Sequence, residues 1–160
     1  MRLTLGSRSY DLTTRSVVIG VGGAAAEMVA QGADVIEVDE GPAPAPVYTT
    51  AADEGGLGRA LSAGAGLVRL TDPTAGELAL CAAAGAAVLV PAGAAGDAEA
   101  AGFPPDRIVR DTLFVDVTAA DFPAAATAAG VIRGARIVRT TDVRGSRRVC
   151  DVLAAVMEAR

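Results

Sequence analysis

The chain has 160 residues, 51% of them apolar, and a net charge of −5, which is enough material for one domain around one core. All 14 cationic side chains are Arg, and His, Lys and Asn are absent, so no unperturbed side chain titrates near neutrality and no Lys is available as a Schiff-base nucleophile. Without His, and with Cys81 and Cys150 far apart, no N/S metal site is expected, and the acidic balance argues against nucleic acid as a partner.

In chain order, Leu3, Leu5, Tyr10 and Leu12 flank a Gly6-Ser7 turn and predict an N-terminal β-hairpin over 3–5 and 10–12. The start MRLTLGSRSYDL carries no charged segment leading into an apolar one, so no signal peptide is expected. The longest apolar run, 82–95, is too short and too Gly-broken to span a bilayer, so no membrane partner is expected. With two Cys and no secretion signal, the expected compartment is the reducing cytoplasm.

Short β-rich runs then alternate with Ala-rich amphipathic ones, the pattern of parallel α/β architecture. Strands are predicted at 16–21, 34–38, 47–49, 66–70, 87–90, 107–109, 113–117 and 136–139, and helices at 24–31, 53–63, 74–84, 96–101, 120–129 and 144–159. In the last helix Val149, Val152, Leu153 and Val156 recur at i, i+3, i+4 and i+7 and predict its inward face. Arg144, Arg147 and Arg148 read as a solvated helix start. The Gly, Ala and Pro stretches 41–46 and 91–96 read as loops within one domain spanning 1–160, since composition does not shift across them.

Gly20-Val21-Gly22-Gly23-Ala24-Ala25 follows an apolar strand and opens a helix, with Asp39 and Glu40 ending the next strand about 20 residues on. Two readings stay open. Gly20, Gly22 and Asp39 form a dinucleotide site on a doubly wound Rossmann-like sheet, or the glycines serve a strand-to-helix turn of any α/β fold.

Taken whole, the sequence resembles dihydropteroate synthases and related pterin-binding barrels. Residues 2–12 are similar to the family's N-terminal hairpin and 18–21 to its first strand, while 28–38, MVAQGADVIEV, resembles the helix end and second strand written GADIIDVGGEST. Residues 134–143, GARIVRTTDV, resemble GAxxxRVHDV before the last helix, and Asp72-Pro73, Ala84-Gly85-Ala86 and 105–111 fall in the family's order. The resemblance implies a parallel (β/α)8-type barrel with the N-terminal hairpin. It also implies a pterin pocket at the strand ends, with Asp111 in place of the aspartate that binds the pterin's guanidine-like edge and Arg139 in place of the arginine of RVHDV.

The departures are specific. The chain is about a hundred residues short of the roughly 250 typical of such a barrel. The loop bearing TPDSFSDGG is missing, and Gly23 stands where its asparagine would be. Thr50 replaces the aspartate of SVDT, Arg69 the asparagine of the next strand and Thr141 the His of RVHDV, while the pocket lysine has no counterpart. The expectation is a degenerate, trimmed barrel without dihydropteroate synthesis, acting as a small-molecule-binding or subunit-interaction module with no cofactor.

Any small anionic or pterin-like ligand is expected between Asp111 and Arg139, with Thr141, Arg144, Thr50 and Arg69 around it and the N–H groups near Val143 receiving an anion. An alternative is a repurposed cyclase, isomerase or group-transfer enzyme of a specialised pathway. It would use acids at strand ends, among Asp39, Glu40, Asp72, Asp111, Asp116 and Asp142. Crossover helices are short of residues at 41–46 and between Val109 and Leu113. Strand surface left bare there is expected to be covered by a homodimer partner or a longer homologue.

Overall fold

The computed structural model describes residues 1–38, 43–50 and 54–159. It opens with an antiparallel hairpin, β1 (Arg2–Leu5) and β2 (Arg8–Asp11), turned at Gly6, whose φ of 59° is one that glycine adopts freely. Eight parallel strands follow: β3 (Val17–Gly20), β4 (Val35–Ile36), β5 (Val47–Thr50), β6 (Ala65–Arg69), β7 (Ala87–Val90), β8 (Ile108–Arg110), β9 (Phe114–Asp116) and β10 (Ile137–Thr140). Their order in the sheet is β8-β7-β6-β5-β4-β3-β10-β9. Each falls on a run expected from the sequence, because unbroken Val, Ile and Leu mark strands covered on both faces. Val17 to Gly20 and Ala87 to Val90 are buried throughout.

The helices α1 (Ala25–Ala30), α2 (Glu54–Ser62), α3 (Ala75–Ala84), α4 (Ala95–Ala100), α5 (Pro123–Ile132) and α6 (Val143–Glu158) pack outside the sheet in two clusters. The inner face is filled by its own side chains. Ile19, Val35, Tyr48, Leu67, Leu89, Val109 and Ile137 meet there with Leu3, Leu5 and Leu12 of the hairpin. The hairpin caps the end where strands begin, with Tyr10 Oη donating to the carbonyl of Asp34 at 3.2 Å and Thr4 Oγ1 donating to Asp106 at 2.5 Å. A doubly wound sheet carries helices on both faces, so the Rossmann-like alternative gives way to a trimmed (β/α)8-type barrel.

The trimming shows at two connections. A three-residue 3-10 turn, Asp111–Leu113, stands where a crossover helix is expected to be lost. β8 and β9 are therefore not neighbours but the two edges of the sheet, and the chain itself bridges the seam. In the other connection residues 39–42 lie outside the described residues, as do the candidates Asp39 and Glu40. The expectation of bare strand surface there is not met: Ile36 is fully buried, and Ala45 is buried in the same cluster.

Three further expectations are corrected. α5 starts three residues late, at Pro123, whose fixed φ favours the first helical position, and runs on towards Gly134. α6 turns Val143, Ser146, Arg147 and Cys150 inward with Leu153 packed beside them, and leaves Val152 and Val156 at 62% and 48% exposure, so only part of its apolar stripe faces the core. Arg147 is buried, not solvated. Its Nη1 donates to Asp34 Oδ2 at 3.1 Å and to the Ser16 carbonyl at 3.0 Å, and its Nε donates to Asp151 at 2.9 Å.

Candidate ligand site at the barrel mouth

Parallel strands deliver their C-terminal ends to one rim, and pleat parity decides which side chains point into it. Each interior residue is followed two positions on by another on the same face. Val35 is thus followed by Glu37, Tyr48 by Thr50, Leu67 by Arg69, Val109 by Asp111, Phe114 by Asp116 and Ile137 by Arg139. The register sets Arg139 level with Asp116 on β9 and with Ile19 on β3.

Arg139 is fully engaged. Its Nε and Nη2 donate to the two Glu37 carboxylate oxygens at 2.6 and 2.9 Å, and its Nη1 donates to Asp116 Oδ2 at 2.8 Å and Thr118 Oγ1 at 3.3 Å. Both acids hold the guanidinium in its charged form, Glu37 foremost, and raise its pKa against the effect of burial. Burial pushes the Asp116 carboxyl up, but hydrogen bonds from Thr118 and from Arg139 outweigh it and hold the group below its ordinary value. One arginine between two carboxylates leaves this cluster with a net charge of about −1.

The same guanidinium lies 5.9 Å from the centroid of the Tyr48 ring. Tyr48 stacks on Phe114 at 6.3 Å and 17°, and Arg69 lies 4.9 Å from the centroid of Phe114 on β9. Two rings thus separate two arginines across the mouth. Tyr48 is buried, its hydroxyl hydrogen-bonded to Thr50 Oγ1 at 3.1 Å, and burial raises its phenol pKa.

Asp111 and Arg139 share neither a contact nor a cavity wall among the described residues. Asp111 lines a cavity of about 250 Å³ whose other polar walls are Arg69 and Thr71, with Leu89 and Pro91 beside them, and Arg139 is not part of that wall. Its Oδ1 accepts from the Ala92 N–H at 3.2 Å. Arg69 stacks on Phe114 and has no carboxylate partner among the described residues. The expected anion seat at the start of α6 is also filled from within: Asp142 Oδ1 accepts from the Gly145 N–H at 3.0 Å, and Thr140 Oγ1 accepts from the Asp142 N–H at 3.0 Å. Thr141 and Arg144 are exposed outside that cap, and Thr50 is exposed at the rim.

The glycine fingerprint has structural causes. A Cβ on Gly20 would meet Val143 Cγ2 at 2.9 Å and Met28 Sδ at 3.0 Å, and Gly22 turns with φ +78°. The helix that follows has six residues, too few for a phosphate-binding N-terminus of the kind the dinucleotide reading needs. Among the described residues no group of three or more His, Cys, Asp or Glu is placed to hold a metal ion, and no helix is long and apolar enough to cross a membrane.

Sequence reasoning missed Glu37, Tyr48, Phe114 and Thr118. Counting two positions on from each interior apolar residue finds Glu37, and finds Tyr48 and Phe114 as interior residues themselves. Thr118 has no such signal, because it lies past the end of its strand.

No protein-family model matches the sequence, and no curated protein does. Solved structures do match in three dimensions. A Yersinia pestis dihydropteroate synthase with a pterine-sulfa conjugate is similar over 100% of this chain and 100% of that chain, with a TM-score of 0.79 and 15% identity. A 7,8-dihydropteroate synthase from Vibrio fischeri is similar over 100% and 99%, with a TM-score of 0.75 and 14% identity. A dihydropteroate synthase from Thermus thermophilus in complex with 6HMPPP is similar over 99% of each chain, with a TM-score of 0.75 and 19% identity. Identity this low speaks for architecture alone, and by architecture the chain is a trimmed barrel of the dihydropteroate synthase fold.

Proposed function

We propose that this chain is a dihydropteroate-synthase-like barrel that makes no dihydropteroate and serves in the cytoplasm as a subunit-interaction module. The observation that carries this reading is the state of Arg139. The residue expected to meet an anionic group spends its donors on Glu37 and Asp116 and is stacked over Tyr48. A pterin pyrophosphate would approach a mouth that carries net negative charge and two stacked rings. By the sequence resemblance Thr50, Arg69 and Thr141 replace the family's Asp, Asn and His, and a lost electrostatic contact of this kind costs about 10²- to 10³-fold in rate.

A repurposed enzyme is less well supported. A general acid needs a carboxyl raised in a dry pocket, yet Asp116 at the mouth is held low. The carboxyl that burial does raise, Asp34, sits at the opposite end of the strands between Arg15 and Arg147. A second reading has one observation in its favour: Arg69, without a carboxylate partner among the described residues, and Asp111 line one 250 Å³ cavity, which suits a small ligand carrying an acidic group and a hydrogen-bond donor.

The test is a steady-state assay with pterin pyrophosphate and 4-aminobenzoate. No product above the uncatalysed background is expected. Turnover in the range of about 1 to 10³ per second overturns the proposal.

A further inference from the structure

We infer that the cavity at the ends of β6 and β7 binds a small zwitterion, with Arg69 receiving its carboxylate and Asp111 its ammonium group. The inference deepens the second reading above, a ligand cavity shared by these two residues, and rests on it.

Opposite charges stand in the walls of one cavity without pairing. Arg69 and Asp111 line about 250 Å³ of space, and among the described residues no ion pair joins them or engages either one elsewhere. The sheet explains their separation. Arg69 is level with Leu89 on β7 and Leu89 with Val109 on β8, so Arg69 and Asp111 stand two strand spacings apart, about 10 Å, with Asp111 two residues or about 7 Å nearer the mouth. Each is also set in place by a contact of its own. The Arg69 guanidinium carbon lies 4.9 Å from the centroid of Phe114. Asp111 Oδ1 accepts from the Ala92 N–H at 3.2 Å, and Oδ2 has no partner among the described residues. Walls ordered before the ligand arrives reduce the entropy lost on binding.

The charges select the ligand class. A lone carboxylate gains Arg69 but meets Asp111 and, beyond the two rings, the clamp of Glu37, Asp116 and Arg139 with its net charge of about −1. A lone cation gains Asp111 but meets Arg69. A ligand with one group of each sign finds a charge-assisted partner for both and adds no net charge. Between the two ends the wall is apolar: Leu89 is fully buried, Leu70 is 2% exposed, and Pro91 lies beside them, which suits a methylene spacer. At roughly 30 Å³ for each heavy atom, the share of a water in the liquid, the cavity takes about eight, close to the size of 4-aminobutyrate. By the sequence resemblance the family has an uncharged Asn at position 69, so the cation that sets this ligand class is particular to this chain.

The experiment is an amide NMR titration at neutral pH with 4-aminobutyrate, and with butyrate and butylamine as probes of one sign each. It is run on wild type, Arg69→Gln and Asp111→Asn, with circular dichroism checking that each is folded. Wild type is expected to bind 4-aminobutyrate with a Kd of about 0.1 to 1 mM, as two charge-assisted contacts allow, and the single-sign probes at least about tenfold more weakly. Each variant is expected to lose about ten- to hundredfold in affinity. Asn at 111 keeps an acceptor for the Ala92 N–H, so its loss reads the charge and not the loop. No saturation below about 10 mM 4-aminobutyrate, or binding that both substitutions leave unchanged, overturns the inference. Butyrate bound as tightly as 4-aminobutyrate, and weakened by Arg69→Gln, overturns the zwitterion and leaves the coarser acid-binding reading standing. If Arg69→Gln fails to fold, Asp111→Asn at its exposed position decides. Assaying the same wild-type sample for dihydropteroate synthesis separates the proposals, because turnover overturns the proposed function alone and absent binding without turnover overturns this inference alone.

Discussion

Tyr48→Ala removes the ring that links the inner cluster to the arginine clamp at the mouth. Tyr48 is 1% exposed, stacks on Phe114, lies beneath Arg139 and fills the inner cluster beside Leu67. Truncating a fully buried aromatic residue costs about 3 to 5 kcal/mol, a figure that already contains its ring contacts and the cavity left behind. Tyr48→Phe removes only a hydroxyl bonded to Thr50 Oγ1, and because Thr50 is exposed its freed oxygen rehydrates. That variant is expected at the low end of a hydrogen bond's worth, about 0.5 to 1 kcal/mol. In a chain of 160 residues the alanine variant lowers Tm by about 6 to 20 °C and the phenylalanine variant by about 1 to 4 °C. Urea unfolding followed by circular dichroism at 25 °C, analysed as two-state, gives both free energies. An alanine cost under about 1.5 kcal/mol, or equal costs for the two variants, would show that the mouth is not packed through this ring.

Gly20→Ala places a methyl against Val143 Cγ2 at 2.9 Å and Met28 Sδ at 3.0 Å, which is expected to cost about 1 to 3 kcal/mol in urea unfolding, with NAD leaving Tm unchanged in wild type and variant alike. A neutral substitution, or a Tm raised by NAD, would return the glycine to the dinucleotide reading. Asp116 is lowered from 3.8 in the folded chain, so its contribution is complete above that value and is lost as pH falls through the folded pKa. Asp116→Asn is expected to cost about 1 kcal/mol at pH 6, with the gap to wild type closing as pH falls below the ordinary carboxylate value of 3.8. A gap that stays constant with pH would mean the ionised carboxylate is not what Arg139 uses.

What was legible in the sequence is what neighbours along the chain decide. The start of α3 was readable because Thr74 and Glu77 form a capping box, Thr74 Oγ1 accepting from the Glu77 N–H at 3.2 Å and the Glu77 carboxylate accepting from the Thr74 N–H at 2.8 Å. The strands were readable because runs such as Ala-Val-Leu-Val at 87–90 suit only a sheet covered on both faces. What was not legible depends on register between distant strands. Glu37 and Arg139 are 102 positions apart, and only the β10-β3-β4 ladder brings them within 2.6 Å. The face of α6 was misread for a related reason. Hydrophobicity favours turning Val152 and Val156 inward, yet Arg147 is buried because Asp34 and the Ser16 carbonyl, 113 and 131 positions away, receive its guanidinium.

The shortened β8-to-β9 connection decides which groups β9 brings to the mouth. Because only Asp111–Leu113 separate the two strands, β9 begins at Phe114, and its pairing with Ile137 turns that ring to the interior. The next inward position is Asp116, which lands opposite Arg139 and completes the second half of its carboxylate clamp. The ring that stacks on Tyr48 and the acid that engages the arginine are therefore both set by where the trimmed connection lets β9 start. Trimming the chain here does more than remove a covering helix. It brings Phe114 against Tyr48 and Asp116 against Arg139, so a longer connection that shifts β9 is expected to release both contacts together, where a single substitution releases one.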